Sequence, residues 1–313
     1  KVLLKPMSTV LGDDHPTYAE LLIEIADWTE PASAQTLEQA ETAIGVYEQN
    51  SWHQTWEYAH ALRIVGRIRN TLRHDNAIDA LLKAEGVLKA LRLTSGIEYL
   101  ITMNELLFYY RNTGQLIEAI PYCEIAEKLA RQLLNADRGL AAQTCNQVAT
   151  IYETLGRTDE ALQNYLRAVN IFDELASPPT RGHLITLKNV AGLYRKQQQY
   201  VSAEDFFRRF LKMVETPGLY DRGLQVDAVL TLTSMYQEQE RYDEARSLLD
   251  QLDGTLQQDQ KISPLWCDIR LAQISLEQRD ENPHKAVKLF EVLWNVLDKG
   301  TYSPKSTSML KDG

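Results

Sequence analysis

The strongest constraint on this chain is a 42-residue internal period. Tyr110, Tyr152, Tyr194 and Tyr236 stand 42 residues apart, and Ala119, Ala161, Ala203 and Ala245 each follow their tyrosine by nine. One further step back from Ala119 lands on Ala77. A fixed period of this kind marks supersecondary units too small to bury their own apolar faces, so that neighbours must cover one another. Within the period from Cys145 to Asp173, Cys145, Val148, Ala149 and Tyr152 fall at i, i+3, i+4 and i+7, one face of a helix. Gly156-Arg157-Thr158-Asp159 interrupts that face as a polar turn. Ala161, Leu162, Tyr165, Ala168, Val169 and Phe172 then build a second helical face. Each unit is therefore expected to be a helix hairpin. Its small alanine marks a close helix crossing, and the bulky residue at Tyr165, Phe207 or Leu249 fills the space beside it.

Applied along the chain, the pattern predicts about seven antiparallel hairpins in an all-α protein. The first is Thr17–Trp28 with Thr36–Gln49, where no tyrosine occupies the repeat position and Ala26 alone can be placed. The others are Thr55–Asn70 with Asn76–Leu91, Glu98–Asn112 with Leu116–Leu134, Arg138–Leu155 with Asp159–Leu175, Thr180–Lys196 with Val201–Val214, Asp221–Gln239 with Tyr242–Leu256, and Ser263–Glu277 with Pro283–Leu297. Ala286 falls one residue out of register in the last. Residues 1–15 are expected to be the end of a preceding helix or a linker, 16–298 the repeat solenoid, and 299–313 a polar tail. The start at Lys1 suggests a processed chain or a fragment. Pro121 inside the second helix of the third hairpin is expected to bend or break it, since proline removes a hydrogen bond and clashes with the preceding turn.

Composition excludes several function classes. The chain has 313 residues, is 44% hydrophobic and 24% charged, and carries a formal net charge of −10. An acidic balance argues against duplex nucleic acid, which demands a surplus of Lys and Arg against phosphate. Arg63, Arg67, Arg69 and Arg73 are spread around a helix and read as a solvated face. No apolar run is long enough to span a membrane. Cys123, Cys145 and Cys267 show no metal spacing and are odd in number, which fits core thiols in the cytoplasm or another reducing compartment, an organelle reached by a removed targeting segment included.

Catalytic motifs are missing: no phosphate-binding glycine loop, no HExxH and no GxSxG occurs. The chain is read as a non-enzyme without cofactor or metal. Trp52, His53, Trp56 and His60 form the most suggestive cluster, yet two histidines make a poor metal site. The tryptophans are expected to pack between hairpins with the histidines at the surface. Asp13-Asp14-His15 belongs to an inter-repeat linker.

The order small-apolar, Tyr, polar turn, Ala, aromatic, Ala, carried by Tyr152, Ala161, Tyr165 and Ala168, resembles the tetratricopeptide repeat. The 42-residue period and the linker Leu11-Gly12-Asp13-Asp14-His15-Pro16 are similar to the kinesin light chain and nephrocystin branch. The resemblance implies a right-handed superhelix whose first helices line a concave groove, and a partner that is a protein or peptide lying in it. In that branch asparagines reach the main chain of the bound peptide. Asn104 and Asn146 match the first such position and Asn189 the second. Further groove positions are Phe108, Arg111, Asn112, Glu153, Arg195, Lys196, Gln237 and Glu238. Arg195 and Lys196 would meet acidic partner residues, while Glu153 and Glu238 oppose a uniformly basic groove. The paired Asn-Asn is never complete, and the lysine-asparagine clamp for a terminal carboxylate is absent. The resulting expectation is a protein-interaction scaffold or adaptor. The alternatives are a fixed subunit or assembly factor of a large complex, and the sensor part of a larger signalling regulator.

Overall fold

The computed structural model describes residues 9–10, 12–29, 31–175, 178–216, 218–219, 221–257 and 264–298. Most of the expected segment 1–15 and the whole of the tail 299–313 lie outside the described residues. Fourteen helices alternate along the described chain, and no strand occurs among the described residues. Contacts divide the protein into two compact units, residues 1–176 and 177–313. Unit 1 holds four hairpins: α1 (Pro16–Trp28) with α2 (Ala34–Gln49), α3 (Trp56–Thr71) with α4 (Ala77–Ala90), α5 (Ile97–Thr113) with α6 (Leu116–Gln132), and α7 (Arg138–Thr154) with α8 (Thr158–Asp173). Unit 2 holds three: α9 (Arg181–Lys196) with α10 (Tyr200–Val214), α11 (Arg222–Glu238) with α12 (Tyr242–Gln257), and α13 (Pro264–Arg279) with α14 (Pro283–Asp298).

The repeated residues carry the packing. Ala77, Ala119, Ala161, Ala203 and Ala245 are each 0% exposed, as a close helix crossing requires. Tyr165, Phe207 and Leu249 fill the adjoining space and are buried completely or nearly so. The tyrosine column has a second role in the backbone. The carbonyls of Tyr110, Tyr152, Tyr194 and Tyr236 accept the amide N–H of Gln115, Arg157, Gln199 and Arg241, each at 2.9 Å. This bond, spanning five residues, closes the helix end in a Schellman turn. The turn needs one residue in the left-handed region, and Gly114, Gly156, Gln198 and Glu240 supply it with φ of 73°, 75°, 59° and 60°. These four positions are again one period apart.

Four first helices start differently from the second ones, while α5 follows Gly96 without a side-chain cap. Thr55, Asp137, Thr180 and Asp221 cap α3, α7, α9 and α11, each side-chain oxygen accepting the N–H three residues on. Such caps satisfy one of the orphan donors of a helix start. α4, α6, α8 and α10 have no side-chain cap and are entered directly from the turn. The divergent first hairpin has its own device: Ser33 and Thr36 form a reciprocal capping box.

Four sequence expectations are corrected. Arg63, expected with Arg67, Arg69 and Arg73 on a solvated face, is buried and paired with Glu98 on α5. α6 runs unbroken from Leu116 to Gln132 through Pro121. The proline lies in the second turn, where the single backbone bond it removes is the one to the carbonyl of Ile117. Ile117 is an exposed residue, so water can take that carbonyl. Trp56 is not packed between hairpins but is 50% exposed, while His60 is drawn partly inside against α5. Cys123 and Cys145 are core residues, whereas Cys267 is only half-buried, packed against the small cluster of Ala286 and Leu293.

Candidate functional site

Within unit 1 the first helices α1, α3, α5 and α7 pack successively on one another, as α11 and α13 do in unit 2. Side chains separated by one period therefore stand beside each other on neighbouring first helices. Arg63, Glu105 and Gln147 form one such column, and Arg111 and Glu153 form another.

The unit 1 face is built from the left-hand end as a set of ion pairs. Arg67 reaches from α3 to Asp27 at 2.9 Å. Arg63, buried on α3, donates from Nε to Glu98 Oε1 on α5 at 2.8 Å. His60 Nδ1 stands 3.2 Å from the same oxygen and 3.0 Å from Arg63 Nη2. Burial alone would push the Glu98 carboxyl up, but the His60 hydrogen bond and the Arg63 charge outweigh it and hold its pKa at about 2.

Further along α5 the pairing stops. Glu105 has no hydrogen bond or ion pair among the described residues. Burial raises its pKa against the opposing pull of Arg63 and Arg67, with Asp27 adding to the rise. Phe108 follows one turn later, with the Arg111 guanidinium 5.1 Å from its ring centre. Arg111 meets no carboxylate among the described residues, and burial lowers its pKa. Asn104 is buried at 8% exposure; its Nδ2 donates to Thr144 Oγ1 at 2.8 Å, and its Oδ1 is left without a partner. Gln147 Oε1 on α7 is likewise buried and unpartnered. Asn146 is half-buried on α7, and Glu153 accepts from the Tyr165 hydroxyl at 2.9 Å.

Phe108 and Asn112 also line a cleft of about 720 Å³ between the ends of α3 and α5, with Asn70, Arg73 and His74. Asn112 Nδ2 donates to Asn70 Oδ1 at 3.4 Å, one period away, while the buried Asn70 Nδ2 has no partner.

The remaining expected site residues fall in unit 2, and most are occupied. Arg195 donates to Glu238 and, at 3.1 Å, to Ser234 Oγ. Lys188 on the same helix donates to Asp227. Gln237 is buried, Asn189 is half-buried and Lys196 is exposed. The expected residues thus form two sets, Asn104, Phe108, Arg111, Asn112, Asn146 and Glu153 in unit 1, and Asn189, Arg195, Lys196, Gln237 and Glu238 in unit 2. Sequence reasoning passed over Asn70, Glu105 and Gln147. The period carried the signal for all three, since Asn70 stands one step before Asn112, and Glu105 and Gln147 stand two and one periods before Asn189 in the sequence.

Among the described residues, no group of three or more His, Cys, Asp or Glu is placed to hold a metal, and no helix is long and apolar enough to cross a membrane.

The family model described as tetratricopeptide repeat matches residues 98–174 and 146–216. Residues 98–216 of the chain thus carry tetratricopeptide repeats. No curated protein matches it in sequence. Among solved structures it is similar to BtubC (BKLC) from P. vanneervenii, with 16% identity and TM-score 0.60 over 79% of this chain and 94% of that one. TPR-like repeats assigned to a kinesin light chain of Podosopora anserina match with 18% identity and TM-score 0.52, over 65% of this chain and 97% of that one. A signal transduction ATPase (STAND) protein with a tetratricopeptide repeat sensor, from Pyrococcus horikoshii, matches with 15% identity and TM-score 0.66; the match covers 91% of this chain but 44% of that one. At these identities the likeness is one of fold.

Proposed function

We propose that the protein is a non-catalytic interaction scaffold that holds an extended peptide segment of a partner against the first helices of unit 1. One observation carries this reading: α3, α5 and α7 keep unmet amide groups of both hydrogen-bonding senses. Asn104 Oδ1 and Gln147 Oε1 are unpartnered acceptors, and Asn70 Nδ2 is an unpartnered donor. A peptide main chain offers N–H and C=O alternately and answers both kinds. Phe108, in the cleft wall, supplies apolar area for a side chain. Leaving buried polar atoms unmet costs stability, so their retention on these three helices fits a surface completed by a ligand. Buried free thiols, with burial pushing the Cys123 thiol up to about 12, fit a reducing compartment.

The test is selection of peptides from a random phage-displayed library on the full chain. Selected peptides should bind in solution and lose at least about tenfold in affinity when Phe108→Ala and Arg111→Ala are combined, while Lys212→Ala in unit 2 changes nothing. Failure to enrich any peptide, or affinity indifferent to Phe108 and Arg111, sinks the proposal.

A second reading, a fixed subunit of a larger assembly, is favoured by α14. With Ala286 one residue early, Phe290 takes the place of Tyr165, Phe207 and Leu249. It is 53% exposed where they are buried, and Trp294, stacked on it, is 58% exposed.

A further inference from the structure

Resting on the unit 1 groove reading, we infer that the bound peptide presents a basic side chain, arginine or lysine, to Glu105. The argument begins with the charges that face this carboxylate. From α1 comes Asp27, and from α3 come Arg63 and Arg67. Arg67 is already paired with Asp27, and Arg63 with Glu98. Two cations and two anions cancel, and the carboxylate of Glu105 is left over.

Its polar neighbours do not answer it either. Asn104, next in sequence and more than nine-tenths buried, has spent its donor on Thr144 and keeps a bare carbonyl oxygen. Gln147, one period on and across from Glu105 on α7, keeps a buried bare carbonyl oxygen too. Neither amide donates to the Glu105 carboxylate. A peptide acid brought here would add a like charge, and a neutral apolar side chain would deepen the desolvation of Glu105. A guanidinium brings five N–H donors and one positive charge to the carboxylate; an ammonium brings three donors. A partly buried carboxylate without a partner is the costly state, so the cation's arrival relieves a penalty already present in the free protein.

The experiment uses the full chain and its Glu105→Gln variant, whose neutral amide keeps the shape. Both are panned with the same random phage-displayed peptide library, and folding is checked by thermal melting. On the wild type, enriched peptides should share one arginine or lysine position; on Glu105→Gln that preference should vanish. A synthetic peptide from the wild-type selection, and its Arg→Gln or Lys→Gln counterpart, are then titrated against both proteins. The basic peptide should lose about tenfold or more on Glu105→Gln, and the neutral one should be indifferent. Enriched peptides that need Phe108 and Arg111 but carry no common basic residue, or whose basic residue ignores Glu105, overturn this inference and leave the groove standing. No enrichment on either protein overturns the groove and this inference together.

Discussion

The two units present first-helix faces built on one repeat and finished in opposite ways. In unit 2 the charges answer each other across neighbouring helices, Lys188 to Asp227 and Arg195 to Glu238. In unit 1 such pairs tie α3 to α1 and to α5, Arg67 with Asp27 and Arg63 with Glu98, but the partners corresponding to those of unit 2 are missing. Glu238 lies 43 residues after Arg195; 43 residues after Arg111 stands Thr154. Asp227 lies 39 residues after Lys188; 39 residues after Asn104 stands Gln143. The apolar columns beneath are the same. The contrast teaches that burial of the alanine and aromatic columns sets the stack, whereas recognition is left to polar positions that packing does not control. A face whose charges are matched internally has little to offer a ligand, and a face with unmatched groups has a use for one.

The turns differ in the same manner. Hairpins three and four of unit 1 put Gly114 and Gly156 at the left-handed position, whereas hairpin two puts Arg73 there and unit 2 puts Gln198, Glu240 and Glu281. Glycine adopts that backbone freely, while any other residue is strained.

The largest effect should come from breaking the tie that unit 1 has and unit 2 lacks. Glu98 joins α5 to α3, and the equivalent positions in unit 2 are Gly182 and Leu224. Glu98→Gln should destabilise the protein by about 2–3 kcal/mol near pH 7, because Arg63 is left buried with its charge unanswered. Denaturant titration measures it. The sign with pH follows from the depressed carboxyl: its contribution is fully present above the ordinary value of 4.5 and is lost as pH falls towards about 2. The wild type and Glu98→Gln should therefore converge in that window, and a gap that persists there would count against the ion pair.

The turn comparison predicts changes of about 1 kcal/mol with opposite signs. Gln198→Gly and Glu240→Gly should each stabilise, and Gly156→Ala should destabilise. An added Cβ at Gly156 meets nothing within 4 Å, so the cost there is one of backbone alone. Melting of the three variants decides it; stabilisation by Gly156→Ala would refute the strain account.

The smallest change in stability should come from exchanging the groove chemistry. Thr154→Glu gives Arg111 the partner that Arg195 has, and should stabilise by about 0.5 kcal/mol while weakening selected peptides. Glu238→Thr should destabilise by a similar amount, leaving Arg195 with Ser234 alone. Peptide affinity untouched by Thr154→Glu would sever the link between unmatched charge and binding.

The sequence alone determined the hairpins, their number and the residues at each crossing. Those depend on local helix periodicity and on a column of alanines, and both are written at fixed spacing: Ala119 to Ala245 specify close contact wherever they fall. Tyr152 was legible as core, though not the turn its carbonyl closes. Of the face, Phe108, Arg111 and Asn112 were legible as first-helix positions by resemblance. Their state was not legible. Only the tertiary structure decided that Asn104 turns its amide to Thr144, that Arg195 is answered by Glu238, and that Glu105, Gln147 and Asn70 are left with groups unmet. The reason is physical: helical burial is a property of a segment and its period, whereas the satisfaction of a charge or an amide depends on which side chain stands across from it, within about 3 Å, on another helix.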